Sequence, residues 1–363
     1  MKIVELGNYT KIRTGKLDAN ASSPDGQYPF FTCAIEPLSI SSYSYDCECV
    51  LVAGNGDLNV KYHKGKFDAY QRTYIIESQD NTKLDVRYCY HFLSRYIGKL
   101  RSLSIGGVIK YIKLGNLTEA KIPLPPLAEQ KRIAAILDKA DAIRRKRQQA
   151  LDLTDTFLRS TFLHMFGDPV TNPMGWDVKP LGEVTLIDAP MVDPRKPQYQ
   201  DLLHYGPDRI TKETGQLLPA KTAKEDGLNS GKFLCNTNHV LYSKIRPYLN
   251  KVALVEQECL CSADVYPVGA VQGETTLEFL LFMLRSQAFL DYVQSCPSRA
   301  NIPKLNRKEF AAYQTVVPDY DLQLEFAKIV KKSKATLGRS QDQFTHSKNL
   351  FSALQQKAFK GEL

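Results

Sequence analysis

The chain has 363 residues, 43% of them hydrophobic and 24% charged, enough apolar material for about two cores at roughly 100–200 residues per domain. Its net charge of +9 favours a polyanionic partner, because each neutralised phosphate releases counterions. No apolar run has the length of a membrane span, and the opening MKIVELGNYT lacks a signal-peptide core, so no transmembrane helix is expected and the chain reads as cytoplasmic.

Residues 1–124 hold short strand-like runs such as Val50-Leu51-Val52, Gly and Pro turns, and one helical pattern near 85–100, which together predict an α+β domain. The run Ala53-Gly54-Asn55-Gly56-Asp57-Leu58-Asn59-Val60-Lys61 follows a strand. Its glycines permit close backbone approach, and Asn55 and Asn59 carry amides. Lys64, Lys66, Gln71 and Arg72 come next, and Ser104 to Gly107 with Lys110 forms a later polar segment that also reads as a simple turn. Cys47-x-Cys49 and Cys259-x-Cys261 lack a second pair of ligands nearby, so they read as buried thiols rather than a zinc site.

Segment 125–168 predicts one long helix. No Pro or Gly interrupts Leu127 to Phe166, and Leu137, Leu151, Leu158 and Met165 recur at multiples of seven, with Arg144 breaking the series. Arg144-Arg145-Lys146-Arg147 is a basic run that suits phosphate or, alternatively, a solvated face. Asn172-Pro173-Met174-Gly175 stops the pattern.

Segment 169–317 repeats the description of the first. Val240-Leu241-Tyr242 reads as a strand, Ser243-Lys244-Ile245-Arg246-Pro247-Tyr248-Leu249-Asn250-Lys251 as the loop after it, and 275–295 as a helical pattern. Arg299-Ala300-Asn301 with Lys304 stands where the polar segment of the first half stands. In segment 318–363, Val330, Leu337, Phe344, Phe351 and Ala358 again fall every seven residues, with Gly338 costing about 1 kcal/mol relative to Ala.

The two halves are related. Pro125 and Pro318 are separated by 193 positions (318 − 125), and so are Phe166 and Phe359 (359 − 166). Gln130 aligns with Gln323 and Ala134 with Ala327 in the same register. Leu6-Gly7 resembles Leu181-Gly182, Val50-Leu51-Val52 resembles Val240-Leu241-Tyr242, and Lys113-Leu114 resembles Lys304-Leu305, at other offsets. Two long helices either face separate cores or pair with each other. Pairing makes them antiparallel, about 60 Å long at 1.5 Å per residue, with a domain at either end and an approximate two-fold axis.

These features resemble the specificity subunits of Type I restriction–modification systems over nearly the whole chain. The resemblance rests on Pro125-Pro126-Leu127-Ala128-Glu129-Gln130-Lys131-Arg132-Ile133, Tyr28-Pro29-Phe30-Phe31, Leu241-Tyr242-Ser243-Lys244-Ile245-Arg246-Pro247, Cys261-Ser262-Ala263-Asp264 and the terminal Ala358-Phe359-Lys360-Gly361-Glu362-Leu363. It implies two α/β-mixed target-recognition domains in tandem, separated by two long helices that form an antiparallel coiled coil with pseudo-two-fold symmetry and set the spacer of a bipartite double-stranded DNA target. It also implies two methyltransferase subunits docked on the chain and motor-nuclease subunits beyond them, with S-adenosylmethionine, ATP and magnesium belonging to those partners and no cofactor in this chain. The partner-facing positions would be Pro125, Leu127, Gln130, Ile133, Leu137, Leu151 and Leu158, then Gln323, Phe326, Val330, Leu337, Phe344 and Phe351.

A DNA reader needs phosphate anchors and base-edge donors. Asn55, Gly56, Asn59, Lys61, Lys64, Lys66, Gln71, Arg72 and Lys110 supply them in the first half. Ser243, Lys244, Arg246, Tyr248, Asn250, Lys251, Arg299, Asn301 and Lys304 do so in the second, with Arg246 and Asn250 suited to base edges. A catalytic reading is weak. Asn172-Pro173-Met174-Gly175 lacks the second Pro and the aromatic of a methyltransferase motif, Gly54-x-Gly56 lacks the third glycine of a nucleotide fingerprint, and no Walker A motif occurs. No catalytic residue is therefore assigned. A scaffold without DNA reading would explain the helices but not two large, diverged front domains.

Overall fold

A computed structural model describes residues 1–297 and 302–363, with residues 335–342 described by their backbone alone. Mixed helices and sheets make up an α+β fold. Two helices dominate it: the first long helix, Leu127–Phe166, of 40 residues, and the second, Tyr320–Lys360, of 41. The chain forms two compact units, Met1–Gln148 with Asp342–Leu363, and Gln149–Gln341. The division cuts both long helices, so each unit joins a front domain to the adjoining stretches of both helices rather than following the four predicted segments. Among the described residues, no helix is long and apolar enough to cross a membrane.

In the first unit, a six-stranded sheet runs in the order Thr10–Thr14, Thr73–Ser78, Tyr45–Ala53, Val60–Ala69, Tyr28–Phe31, Leu38–Ile40. Every neighbouring pair is antiparallel except Tyr28–Phe31 beside Val60–Ala69. The helix Val86–Leu103 starts where Asp85 accepts a bond from the Tyr88 N–H at 2.8 Å, a side-chain cap worth about 1 kcal/mol. Its buried face, Tyr88, Cys89, Phe92 and Leu93, packs with Val50, Val52 and Ile76 of the sheet and with Ile133, Leu137, Ala358 and Phe359 of the long helices. His91, buried on the same helix, reaches Asp138 of the first long helix with Nε2 at 2.8 Å, while the Arg87 guanidinium holds the other carboxylate oxygen at 3.1 Å. The helices run antiparallel within this unit, since Arg132 donates to the Leu363 carbonyl and Arg147 to that of Gln343.

In the second unit, two four-stranded sheets replace the single one. The first is Thr185–Leu186, Val265–Ala270, Val240–Ser243, Val252–Leu254; the second is Met191–Val192, Lys232–Cys235, Cys259–Cys261, His204–Tyr205. The predicted helical pattern near 275–295 is two helices, Leu277–Leu284 and Gln287–Ser295. They break at Ser286 because its hydroxyl caps the second one, accepting from the Phe289 N–H at 3.2 Å, a local bond that competes with continuing the first helix. Their buried face meets Phe162 and Phe166 of the first long helix and Phe326 and Val330 of the second. Phe162 and Phe326 lie edge to face with centroids 5.6 Å apart, a geometry favoured by the ring quadrupoles.

The same local bonds recur in both units. Leu6 N–H donates to the Ala120 carbonyl, and Leu181 N–H to that of Tyr313. Thr10 and Thr185 each turn a hydroxyl back onto the leucine carbonyl, at 2.8 and 2.7 Å. A Cβ on Gly7 would sit 2.8 Å from Thr118, and one on Gly182 2.7 Å from Ala311, so the close approach requires glycine at both places. The short strand Ile3–Glu5 pairs with Lys121–Pro123, and Asp177–Pro180 with Gln314–Val317. One sequence match changes. Ile112 donates to the Gly54 carbonyl as Leu305 donates to that of Lys244; Ile112, not Leu114, therefore stands in the place of Leu305.

Of the thiols read as buried, Cys49, Cys259 and Cys261 are fully so, whereas Cys47 is half-buried. Its contact with Cys235, and after that burial, pushes the Cys259 thiol up.

Candidate nucleic-acid interface

In the first unit, strand Tyr45–Ala53 delivers the chain to Gly54. The Gly54 N–H donates to the Arg72 carbonyl at 2.8 Å, and a Cβ there would lie 2.4 Å from that oxygen. The close approach inferred from this glycine is thus to its own chain. Gly56, at φ +67, faces open space and donates to the Lys110 carbonyl at 2.9 Å. Ile105 and Tyr111 exchange two main-chain bonds of 3.0 and 2.9 Å, closing a hairpin over Ser104–Lys110. Three segments distant in sequence, the Asn55 loop, the Gln71–Arg72 turn and the hairpin, therefore meet at one end of one strand. Gly56, Arg72 and Lys110 are exposed there, and Asn55 is half-buried.

Other expected residues have different work. Asn59 donates to the carbonyls of Cys33 and Asp57 at 2.8 and 3.0 Å and receives the Lys61 ammonium, whose pKa burial lowers, so both brace the loop from within. Gln71 donates to Asp18 at 2.7 Å. Lys64 and Lys66 sit opposite Glu48 and Asp46, about 17 and 24 Å back along the strand from its Ala53 end at 3.4 Å per residue. Lys64 pairs with Glu48 at 3.4 Å and Lys66 lies 4.6 Å above the Tyr43 ring; neither joins the cluster.

In the second unit, strand Val240–Ser243 leads into a loop held open by two left-handed residues, Arg246 at φ +45 and Asn250 at φ +48, flanking a 3-10 turn at Pro247–Leu249. Arg246 N–H donates to the Pro303 carbonyl at 2.8 Å, and Ile245 bridges Lys304, so the loop and the Lys304 segment meet as their counterparts do in the first unit. Arg246, Tyr248 and Lys304 are exposed, and Lys244 is half-buried. The Lys244 ammonium stands 5.3 Å and the Arg307 guanidinium 5.9 Å from the Tyr266 ring centre. Arg299 and Asn301 lie outside the described residues.

Three of the expected loop residues are structural. Ser243 is buried, its hydroxyl on the Ile245 carbonyl at 3.0 Å. Asn250 is buried and spends its amide on the Arg285 carbonyl at 3.1 Å, which leaves it no reach toward a base. Lys251, half-buried and with a pKa lowered by burial, donates to the Pro207 carbonyl.

Sequence reasoning missed Tyr266, Arg285 and Arg307. Arg285 is 4% exposed and joins Asp155 of the first long helix at 2.8 Å, while its Nε donates to the Glu213 carbonyl at 2.8 Å. Glu213 in turn donates to the Asn250 carbonyl. A signal for Arg307 was present: Asn306-x-x-Glu309 is a reciprocal capping box, with bonds of 2.9 and 3.0 Å, and it starts the helix Arg307–Ala312 just after Lys304.

Among the positions assigned to partner docking, Gln130, Ile133, Leu137, Leu151, Leu158, Gln323, Phe326 and Val330 are buried. Pro125 is buried as well, Leu127, Phe344 and Phe351 are half-buried, and the Leu337 side chain lies outside the described residues. Most of these side chains are thus taken up within the chain itself. Three arginines of the basic run are engaged: Arg144 and Arg145 on Asp141 and Arg147 on the Gln343 carbonyl.

Comparison with known proteins bears on this arrangement. Residues 1–153 match the family described as Type I restriction modification DNA specificity domain. The whole chain is 31% identical to the Type I restriction enzyme EcoDI specificity subunit of Escherichia coli, covering 88% of that protein. A putative type I restriction enzyme specificity subunit of Haemophilus influenzae, S.HindORF215P, is 29% identical over 42% of this chain and 43% of its own length. In fold, the chain resembles the S subunit of a Type-I restriction-modification system from M. genitalium, with a TM-score of 0.65 at 16% identity over 99% of this chain and 96% of that one.

Proposed function

Since the chain belongs to the specificity subunits of Type I restriction–modification enzymes, we propose that it reads a bipartite double-stranded DNA target, one half with each unit, and has no chemistry of its own. The observation that carries this reading is the recurrence of one cluster. In each unit a strand end and a distant lysine segment are tied by the same pair of main-chain bonds, Gly56 to Lys110 with Ile112 to Gly54, and Arg246 to Pro303 with Leu305 to Lys244. Shared backbone with unshared side chains is what two readers of different half-sites require.

Within that reading, Arg72 and Lys110 contact phosphates in the first unit, and Lys244, Lys304 and Arg307 do so in the second, a sequence-blind attachment. In the same reading Asn55 and Arg246 contact base edges, Arg246 with the fork that matches guanine. The duplicated chain folds its long helices into the spacer between the half-sites and presents outer faces of both to two methyltransferase subunits in the cytoplasm. Methyl transfer, with S-adenosylmethionine, and cleavage, with ATP and magnesium, fall to the methyltransferase and motor-nuclease partners.

The test is to co-express the chain with its methyltransferase and map methylated adenines across a genome. A two-part motif with a fixed gap is the expected result, and exchange of residues 1–124 for those of a relative should alter one part only. Methylation indifferent to that exchange would sink the proposal and leave a DNA-blind scaffold as the better account.

A further inference from the structure

The hairpin over Ser104–Lys110 has a composition that phosphate attachment does not explain. Val108 at its tip is fully exposed, Ile109 is 63% and Ile105 42% exposed, and Tyr111 at its base is 39% exposed. Single exposed apolar residues are ordinary, but four within seven positions form a patch that calls for an occupant. The hairpin is also firmly held. Gly106 sits at φ +112, where a Cβ would lie 2.6 Å from the Ile109 carbonyl oxygen, and main-chain bonds lock its base to Gly54 and Gly56. A pinned backbone presenting bare Val and Ile side chains is a built feature.

Its surroundings select the occupant. Lys110 is exposed within the hairpin and exposed Lys99 and Lys113 flank it, while the nearby Arg101 is paired with Asp57 at 2.9 Å; the remaining positive charge suits a polyanion rather than an apolar protein groove. Ile105 and Tyr111 form one isolated bridge, which makes the segment a short protruding loop; the major groove is wide enough to admit secondary-structure elements, and the apolar group on base-pair edges there is the thymine 5-methyl. In the second unit the corresponding stretch is Arg299-Ala300-Asn301, polar in sequence.

We propose that the Ile105–Tyr111 hairpin enters the major groove of the half-site read by the first unit and recognises thymine through apolar contact of Val108 and Ile109 with its 5-methyl group. The inference rests on the DNA-reading function proposed above and gives that unit a mode of reading that needs no hydrogen bond.

The experiment uses the chain co-purified with its methyltransferase and a duplex carrying the mapped target, in a thymine form and in a form with uracil for thymine in one half at a time. The variant is Val108→Ser with Ile109→Ser, two tip residues outside the core, checked for an unchanged circular dichroism spectrum and melting temperature. The wild-type complex should bind the uracil form of one half about fourfold more weakly for each contacted methyl removed, by loss of methyl burial. The variant should bind the thymine form about tenfold more weakly, be indifferent to uracil, and keep the wild-type salt dependence, whereas Lys110→Ala should lower the salt slope by about one. A variant that binds like wild type overturns the proposal. A weakened variant without a uracil effect in the wild type also overturns it, in favour of a wedge between base steps. Lost co-purification of the methyltransferase would make the hairpin a protein contact instead. If the wild-type complex itself shows no sequence preference, the reading beneath the proposal falls with it.

Discussion

Gln130 and Gln323 make the same three hydrogen bonds, one in each unit. Gln130 accepts from the Asp85 N–H at 2.9 Å and donates to the carbonyls of Lys83 and Pro125 at 2.8 and 2.9 Å. Gln323 accepts from Thr276 at 3.0 Å and donates to Glu274 and Pro318 at 2.9 and 2.8 Å. Asp85 and Thr276 are the N-caps of helices Val86–Leu103 and Leu277–Leu284, so each glutamine fastens the start of a long helix to the start of a front-domain helix. Gln130→Ala strands three polar groups in a buried place and should destabilise the first unit by about 2–4 kcal/mol. Gln323→Ala should do the same to the second. Urea unfolding followed by hydrogen exchange of each unit checks this; equal loss of protection in both units from one substitution would refute a local clamp.

Arg285 is the second structural prediction. Its buried guanidinium joins Asp155 to the Glu213 carbonyl, and its own carbonyl holds the Asn250 amide. Arg285→Ala leaves Asp155 and the Glu213 carbonyl with Arg159 alone, at 2.7 and 2.6 Å, a loss of about 1–2 kcal/mol once that second partner and the solvent around Asp155 are allowed for. The Lys244–Lys251 loop should become more accessible to protease before the sheets do. An unchanged digestion pattern would show that the loop is held without Arg285.

Arg246 separates binding from folding. Its φ of +45 is a conformation that glycine adopts without cost. Arg246→Gly should therefore leave the melting temperature within a degree or two while weakening target binding by about 1–3 kcal/mol and relaxing one half-site alone. Competition binding with duplexes altered in either half measures it. Equal relaxation of both halves would remove Arg246 from base reading.

His91 predicts a pH dependence. Burial lowers its pKa, with Asp138 opposing, and its Nδ1 has no hydrogen-bond partner, as expected of a neutral ring that donates from Nε2. A histidine whose folded pKa lies below its unfolded value contributes stability that is present above the unfolded value, about 6.5. That stability is lost as pH falls from there through the folded pKa, because the unfolded chain takes up the proton first. Melting temperature should therefore fall as pH is lowered from 7.5 to 5.5, and His91→Gln, which retains a donor for Asp138, should flatten that slope. A slope unaltered by His91→Gln assigns the effect to other groups.

The long helices were legible because their signal is local and repeated. Absence of Pro and Gly between Leu127 and Phe166 and the sevenfold recurrence of Leu151 and Leu158 belong to contiguous sequence, as does Ser286, which in retrospect marks a break. The strand-end loops were legible in position from the turn chemistry of Gly54, Gly56 and Pro247. What each loop side chain does was not. Asn250 and Asn59 look like base-reading amides until Arg285 and Cys33, both distant in sequence, claim them. Lys64 and Lys66 look continuous with the loop, yet a strand carries them away from it at over 3 Å per residue. The exposed hairpin was visible only as Ser, Gly and Lys, because apolar residues in sequence default to the core.

The first unit is built from two stretches of chain, Met1–Gln148 and Asp342–Leu363, whereas the second is one continuous stretch. Ala358 and Phe359 are buried in the first unit's core, the Phe359 ring 5.2 Å from that of Tyr88. On the ribosome, the half made first cannot complete its core until the half made second has emerged in full. Closure of this pair is a contact of very long sequence separation, the kind that slows folding. A chain stopped between residues 342 and 358 would keep every residue of the second unit and lose Phe359 from the first unit's core, so the unit that begins the chain is completed by residues made long after it.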